Sequence, residues 1–294
     1  MRIRKYDFNY GRRMLLQKAA IGASAGVLAP LWPMIANSAD GSKAYQDELL
    51  SIEMYTKGKI KPGDVVSADN VDVVKDLVDP ILYQQIKTMG RKINIVAPTK
   101  DITKLFPHEW FEATLKNKGT AIIGADGNVW SKTQGNPWNG GNPFPDPKSA
   151  VEAMANITLS WSRHSYSQYG IRDWDIGPDG SVGYKDDFGW IELNTTARPD
   201  GSIWNGKKDL LRYQSVFFTA PSDVSGTSFP STWYYDQRKF PDLIGYLPAF
   251  KRVRTYPTNQ RFEPLVPGIT LFLSEAWSSG DPLFTWGHFK IIAR

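Results

Sequence analysis

Residues equipped for covalent, redox or metal chemistry are scarce among these 294. There is no Cys, and the three histidines are His108, His164 and His288. Each would need a Ser and a carboxylate beside it in space to drive nucleophilic catalysis. The chain contains no Gly-x-Ser-x-Gly elbow, His-Glu-x-x-His helix, phosphate loop or dinucleotide fingerprint. Gly140-Gly141 precedes Pro143 and Pro145, which lack the N–H donors of a phosphate cradle. Asp173 with Asp175, and Asp186 with Asp187, fall beside turns, where solvation accounts for paired acids. Asp69, Asp72, Asp76 and Asp79 read as the wet side of a helix rather than a metal site. No catalytic residue, metal ligand or cofactor is assigned. A hydrolase remains open only if two or more of His164, His288 and nearby acids converge.

Aromatic residues are the excess, with 11 Trp, 13 Tyr and 14 Phe. Alternate residues of a strand share a face, so Trp233 and Tyr235 point one way, and Phe284 and Trp286 do likewise in theirs. Such rings line an apolar cavity for a lipid-like ligand, form a stacking platform for sugars, or fill a core. The candidate ligand-binding set is Phe144, Met154, Ile157, Trp161, Trp233, Tyr235, Phe284 and Trp286. A carrier needs the sheet aromatics turned inward with Met154 and Trp161 around a cavity of roughly 300 to 1,000 Å³. The run Lys251-Arg252-Val253-Arg254 puts Arg252 and Arg254 on one strand face. They suit a solvated edge, or contact with an anionic head group or acidic partner.

The elements that must hold these residues centre on a helix predicted over 147–161. Asp146 can cap it, Pro147 suits its first position, and Val151, Met154, Ile157 and Trp161 recur at helical spacing as its buried face. The Gly/Pro-rich stretch before it delivers Phe144 beside the helix start. Upstream, helices are predicted over 45–55, from a cap at Asp69 or Asn70 to residue 78, over 81–89 and over 107–115. A strand is predicted over 92–97, and a hairpin turns at Asp126-Gly127. Downstream, strands are predicted over 165–169, 172–176, 182–184, 189–194, 210–219, 232–236, 250–256, 269–273 and 283–292. This pattern predicts an α+β fold: a large curved antiparallel sheet, an incomplete barrel, wrapped around the helix, with a helical N-terminal part. Residues 40–294 read as one domain.

The formal charge of +5 is not a nucleic-acid signature. Residues 1–39 hold six of the 35 basic residues and one of the 30 acids, which leaves 29 of each sign. The basic start, the Ala- and Gly-rich stretch over 19–36 and the small residues around Ala39 predict a cleaved export signal, hence the periplasm. Arg12-Arg13-Met14-Leu15-Leu16 resembles a twin-arginine signal, an ordinary secretory signal being the other reading. Pro30 and Pro33 argue against an uncleaved spanning helix. Without Cys the protein is not a lipoprotein.

Several segments together resemble the bacterial family known as domain of unknown function 1329. They are residues 65–77, the Gly141-Asn142-Pro143-Phe144-Pro145 stretch with Glu152, Ala153 and Asn156, the run 246–254, and the Trp286 segment. The resemblance implies a periplasmic half-barrel similar to the lipoprotein carriers LolA and LolB, with acyl chains held in the concave face. It also implies a partner among membrane exporters of the resistance-nodulation-division type or outer-membrane proteins. Family members usually extend beyond the Trp286 segment, so a missing C-terminal part is expected, and Ala249 stands where Gly is common. The expectation is therefore a non-enzymatic carrier of a hydrophobic small molecule or lipid, with an envelope-glycan binding module as the alternative.

Overall fold

The computed structural model describes residues 51–98, 106–160, 163–177, 179–260, 263–266, 268–269 and 282–291. The export-signal segment and Trp161 lie outside them. The chain divides into two units, one of residues before 88 with 91–105, the other of 88–90 with 106 onward.

In the first unit, α1 (Ile52–Tyr55) precedes a two-stranded ladder of β1 (Val65–Val66) and β2 (Ile93–Asn94). Between them come a 3-10 segment (Val71–Leu77) and α2 (Pro80–Thr88). Ile60, Val66, Val71, Val74 and Ile86 form its core. The helix expected after Asp69 is a 3-10 segment with a non-helical Val74. Asn70 does not cap it, because its side chain accepts from Ser67 N at 2.8 Å instead. Asp79 caps α2, accepting from Ile81 N and Leu82 N at 2.9 Å.

The second unit opens with α3 (His108–Asn117) and the expected hairpin of β3 (Ala121–Ile123) and β4 (Val129–Ser131). Two glycines then permit close packing. A Cβ on Gly140 would lie 1.9 Å from Arg198 O, and one on Gly141 2.3 Å from Thr114 N. The central helix, α4, spans Ala150–Leu159. Its cap is Ser149, which accepts from Glu152 N at 3.2 Å while Glu152 Oε2 accepts from Lys148 N at 2.5 Å. This cap displaces the start predicted at Asp146 and Pro147. Asp146 pairs with Lys148. Phe144 does arrive beside the helix, where Asn156 accepts from its N–H at 2.9 Å and donates to its carbonyl at 2.7 Å.

Six antiparallel strands follow as a simple meander: β5 (Tyr166–Ile176), β6 (Val182–Asn194), β7 (Leu210–Ala220), β8 (Ser228–Tyr234), β9 (Asp242–Leu247) and β10 (Arg252–Tyr256). The fold is α+β, and among the described residues the sheet is not closed into a barrel, with β5 and β10 as its edges. β5 and β6 each fuse two predicted strands. Gly170, left between two of them, faces Gly189 in register and is not a break. Gly189 makes room for Phe217, whose Cζ would sit 2.2 Å from a Cβ there. β9 went unpredicted because Gly245 interrupts its pattern; a Cβ on Gly245 would lie 2.4 Å from the Tyr256 ring. The strand predicted over 283–292 does not form. Pro282 instead precedes a 3-10 turn (Leu283–Thr285), with irregular chain through residue 291. Beyond Ile269, the strand predicted over 269–273 lies outside the described residues.

Candidate ligand-binding face of the sheet

Strand alternation and register assemble the inner face row by row. Ile171, Phe188 and Phe218 make one row; Tyr169, Trp190, Val216 and Phe229 make the next. Their rings touch: Phe188 to Phe218 at 5.2 Å, Phe218 to Phe229 at 6.5 Å edge-on, and Tyr169 stacked on Trp190 at 6.2 Å. A polar row follows, Ser167, Glu192, Gln214 and Ser231, and then Asn194, Arg212 and Trp233. Ala155 and Leu159 of α4 belong to the same core cluster, so the helix lies against this face.

The structure gathers part of the expected set here. Trp233 and Tyr235 are both buried, and Phe144, Met154 and Phe284 pack against the same cluster. The Tyr235 hydroxyl accepts from Trp138 N at 2.7 Å and donates to Val129 O, and burial pushes its pKa up. Ile157 does not join. It is 49% exposed, because α4 buries Ala155, Thr158 and Leu159, while Val151 and Met154 pack half-buried against the same cluster. Ala and Thr let the helix backbone approach the sheet more closely than an Ile would. Phe284 and Trp286 share no strand face: Phe284 covers Gly127, while Trp286 is 60% exposed. Arg252 and Arg254 do share a face, on the edge strand β10, and both are exposed. Arg254 donates to Gln260 Oε1 at 2.9 Å and sits 4.9 Å from the Tyr256 ring centroid.

Among the described residues, no preformed cavity of the expected size lies between helix and sheet. The gap lined by Thr158, Leu159, Tyr235 and Phe284 holds about 10 Å³, space for at most one water. A larger concavity, about 580 Å³, opens at the β5 edge. Arg163, His164, Tyr166, Ser167, Gln168, Tyr169 and Glu192 line it. Burial, with the nearby Glu192 charge, pushes the Tyr169 phenol up to about 12.

Two polar residues of this face went unnoticed in the sequence. Glu192, 2% exposed, accepts from Trp190 Nε1 at 3.0 Å and from Ser167 Oγ at 3.4 Å. Arg212, 1% exposed, donates through Nη2 to Thr158 O at 2.5 Å and lies over the Trp233 ring at 5.3 Å. Burial lowers the Arg212 pKa to about 10, with Glu192 opposing the shift. The signal was available: each shares its strand's inward parity with aromatic or apolar residues, Glu192 two after Trp190 and Arg212 four before Val216. The acids beside the turn also differ from expectation. Asp186 is buried opposite Asp173, and its pKa is raised by burial and then by Asp173, Asp175 and Asp223. Asp187 instead faces Arg172 in a two-pronged pair at 2.7 and 2.9 Å.

A crystal structure of a DUF1329 family protein from Desulfovibrio piger ATCC 29098 is 20% identical, with a TM-score of 0.34. The match covers 46% of this chain and 52% of that one, so the chain spans about half the length of that protein. No curated protein matches. The family model described as protein of unknown function (DUF1329) matches residues 65–294, and the chain belongs to that family.

Proposed function

We propose that the protein is a non-enzymatic carrier for a lipid-like or otherwise hydrophobic small molecule, bound on the inner face of the six-stranded sheet. One observation carries the reading: a continuous field of large rings on one face of the sheet, against which α4 buries Ala155, Thr158 and Leu159. Ala155 and Thr158 give that helix a smaller apolar contact than large side chains would, with Leu159 its one large buried residue. In this reading the sheet is the concave half of an incomplete barrel with α4 in its mouth, as in LolA and LolB. On the same reading, loading displaces α4. Phe144, Met154, Trp233, Tyr235 and Phe284 retain their proposed place around the ligand, with Arg252 and Arg254 at a rim for an anionic head group. Export to the periplasm and exchange with a membrane exporter or outer-membrane protein complete the proposal, supported by the leader pattern and the family resemblance.

The groove at the β5 edge favours a second reading. Exposed Tyr166 and Tyr169 beside Ser167, Gln168 and Glu192 offer rings and hydrogen-bonding groups together, the combination that holds sugars. Titration of the full chain with a fluorescent fatty-acid probe separates the two. Tryptophan emission should fall saturably, and long-chain lipid but not peptidoglycan fragments should displace the probe. Saturable binding of glycan with none of lipid would replace the carrier by the glycan module.

A further inference from the structure

Arg212 carries donors that the fold does not use. Nη2 reaches Thr158 O, but Nε and Nη1, equally buried, meet no acceptor. The same holds for Ser231 Oγ on β8. Register makes the two neighbours: Ser231 faces Gln214, two residues along β7 from Arg212, and Arg212 faces Trp233, two residues along β8 from Ser231. Unmet polar groups in a low-dielectric interior are costly, so a partner that brought acceptor atoms here would be held strongly.

The charge of the site specifies which acceptor. Glu192 lies one strand away on the same face, diagonal to Arg212, and is buried with it. No ion pair within 4 Å joins them among the described residues, yet the carboxylate acts on Arg212 and opposes the loss of its proton. One positive and one negative charge thus already share the interior. A free carboxylate or phosphate would add a second anion beside Glu192, whereas a neutral carbonyl supplies the missing acceptor without disturbing the balance.

We propose that Arg212 and Ser231 hold the ester or amide carbonyl oxygen of an acyl ligand. The acyl chain runs along β7 past Val216 and Phe218, flanked by Trp190 and Phe229. From Arg212 to Phe218 the strand rises ~20 Å at its usual spacing, long enough for an extended acyl chain. The site rests on the inner sheet face being the ligand face, and it requires α4 to move, because the gap beside Thr158 admits at most one water.

The test uses the full chain with N-phenyl-1-naphthylamine, a neutral fluorescent probe, and three competitors of matched length: a methyl ester, the alkane and the free fatty acid. The ester should displace the probe roughly tenfold better than the alkane, the effect of about one net hydrogen bond. The acid should be no better than the ester. Arg212→Met should bring the ester-to-alkane ratio to about one, and Ser231→Ala should lower it severalfold, the ratio being taken within each variant because Arg212 also donates to Thr158 O of α4. Loss of a merely structural residue would weaken all three competitors together. If Arg212→Met fails to fold by near-ultraviolet circular dichroism, Ser231→Ala carries the test. Equal ester and alkane affinity in the wild type, or a ratio untouched by the variants, overturns the carbonyl site and leaves the carrier reading standing. An acid that outcompetes the ester tenfold overturns it in favour of an anion site. Failure of every competitor to displace the probe overturns both proposals.

Discussion

Truncating two neighbours on α4 tests how the helix sits on the sheet. Leu159 is 5% exposed within the core cluster, whereas Ile157, two residues earlier, is 49% exposed. Leu159→Ala removes buried atoms beside a gap that already exists, so the helix gains little by settling inward. Leu-to-Ala losses at buried sites run ~2.7–5.0 kcal/mol, and ~3 kcal/mol is expected here. Ile157→Ala removes a side chain already half in water; full burial of an Ile is worth ~1.5–3 kcal/mol, so ~1 kcal/mol or less is expected. Urea denaturation followed by tryptophan emission reads the difference, since every Trp after Trp32 belongs to the second unit. The Leu159 variant should show the lower midpoint with an unchanged slope. An Ile157→Ala loss equal to or greater than that of Leu159→Ala would refute the packing described and restore the stripe read from sequence.

Three further outcomes follow. Asp236 is held at about pKa 2, chiefly by hydrogen bonds from Arg238 at 2.8 and 2.9 Å. Its stabilisation is therefore complete above the usual carboxylate range near pH 4 and fades as pH falls toward 2; Asp236→Asn should flatten that limb of the acid-unfolding curve, and an unaltered limb would show the pair to be idle. Replacing Arg252 and Arg254 with Gln should weaken anionic ligands alone, and less so at high salt; equal loss for neutral ligands would remove the two arginines from any head-group role. Changing Arg12 and Arg13 to Lys should retain the precursor in the cytoplasm, and normal periplasmic yield would defeat the twin-arginine reading.

The strand-and-turn texture after residue 165 carried the sheet into view, because period-two alternation survives whatever the partner. Its interruptions misled. Gly170 separated two predicted strands yet lies within β5, and Gly245, in a stretch left without a predicted strand, gives the Tyr256 ring the space of a side chain. The helix was legible as an element but not in phase. Val151 and Met154 fit either face, and choosing Ile157 over Ala155 and Thr158 followed hydrophobicity, whereas the packing was decided by which residues let two backbones approach. Phe284 and Trp286 were paired by alternation in a strand that does not form, Leu283–Thr285 being a 3-10 turn. Arg212 and Glu192 were passed over because charged residues are seldom buried, although their parity with Trp190, Val216 and Phe218 placed them inside.

The central claim is that the inner face of the sheet holds a lipid-like molecule. Organic extraction of the folded protein after expression and export, with mass spectrometry of what is released, tests it most directly. An acyl-chain species approaching one molecule per chain, lost in a Trp233 variant that remains folded, is the expected result. An extract containing no hydrophobic species, from protein that binds glycan fragments saturably, would contradict it.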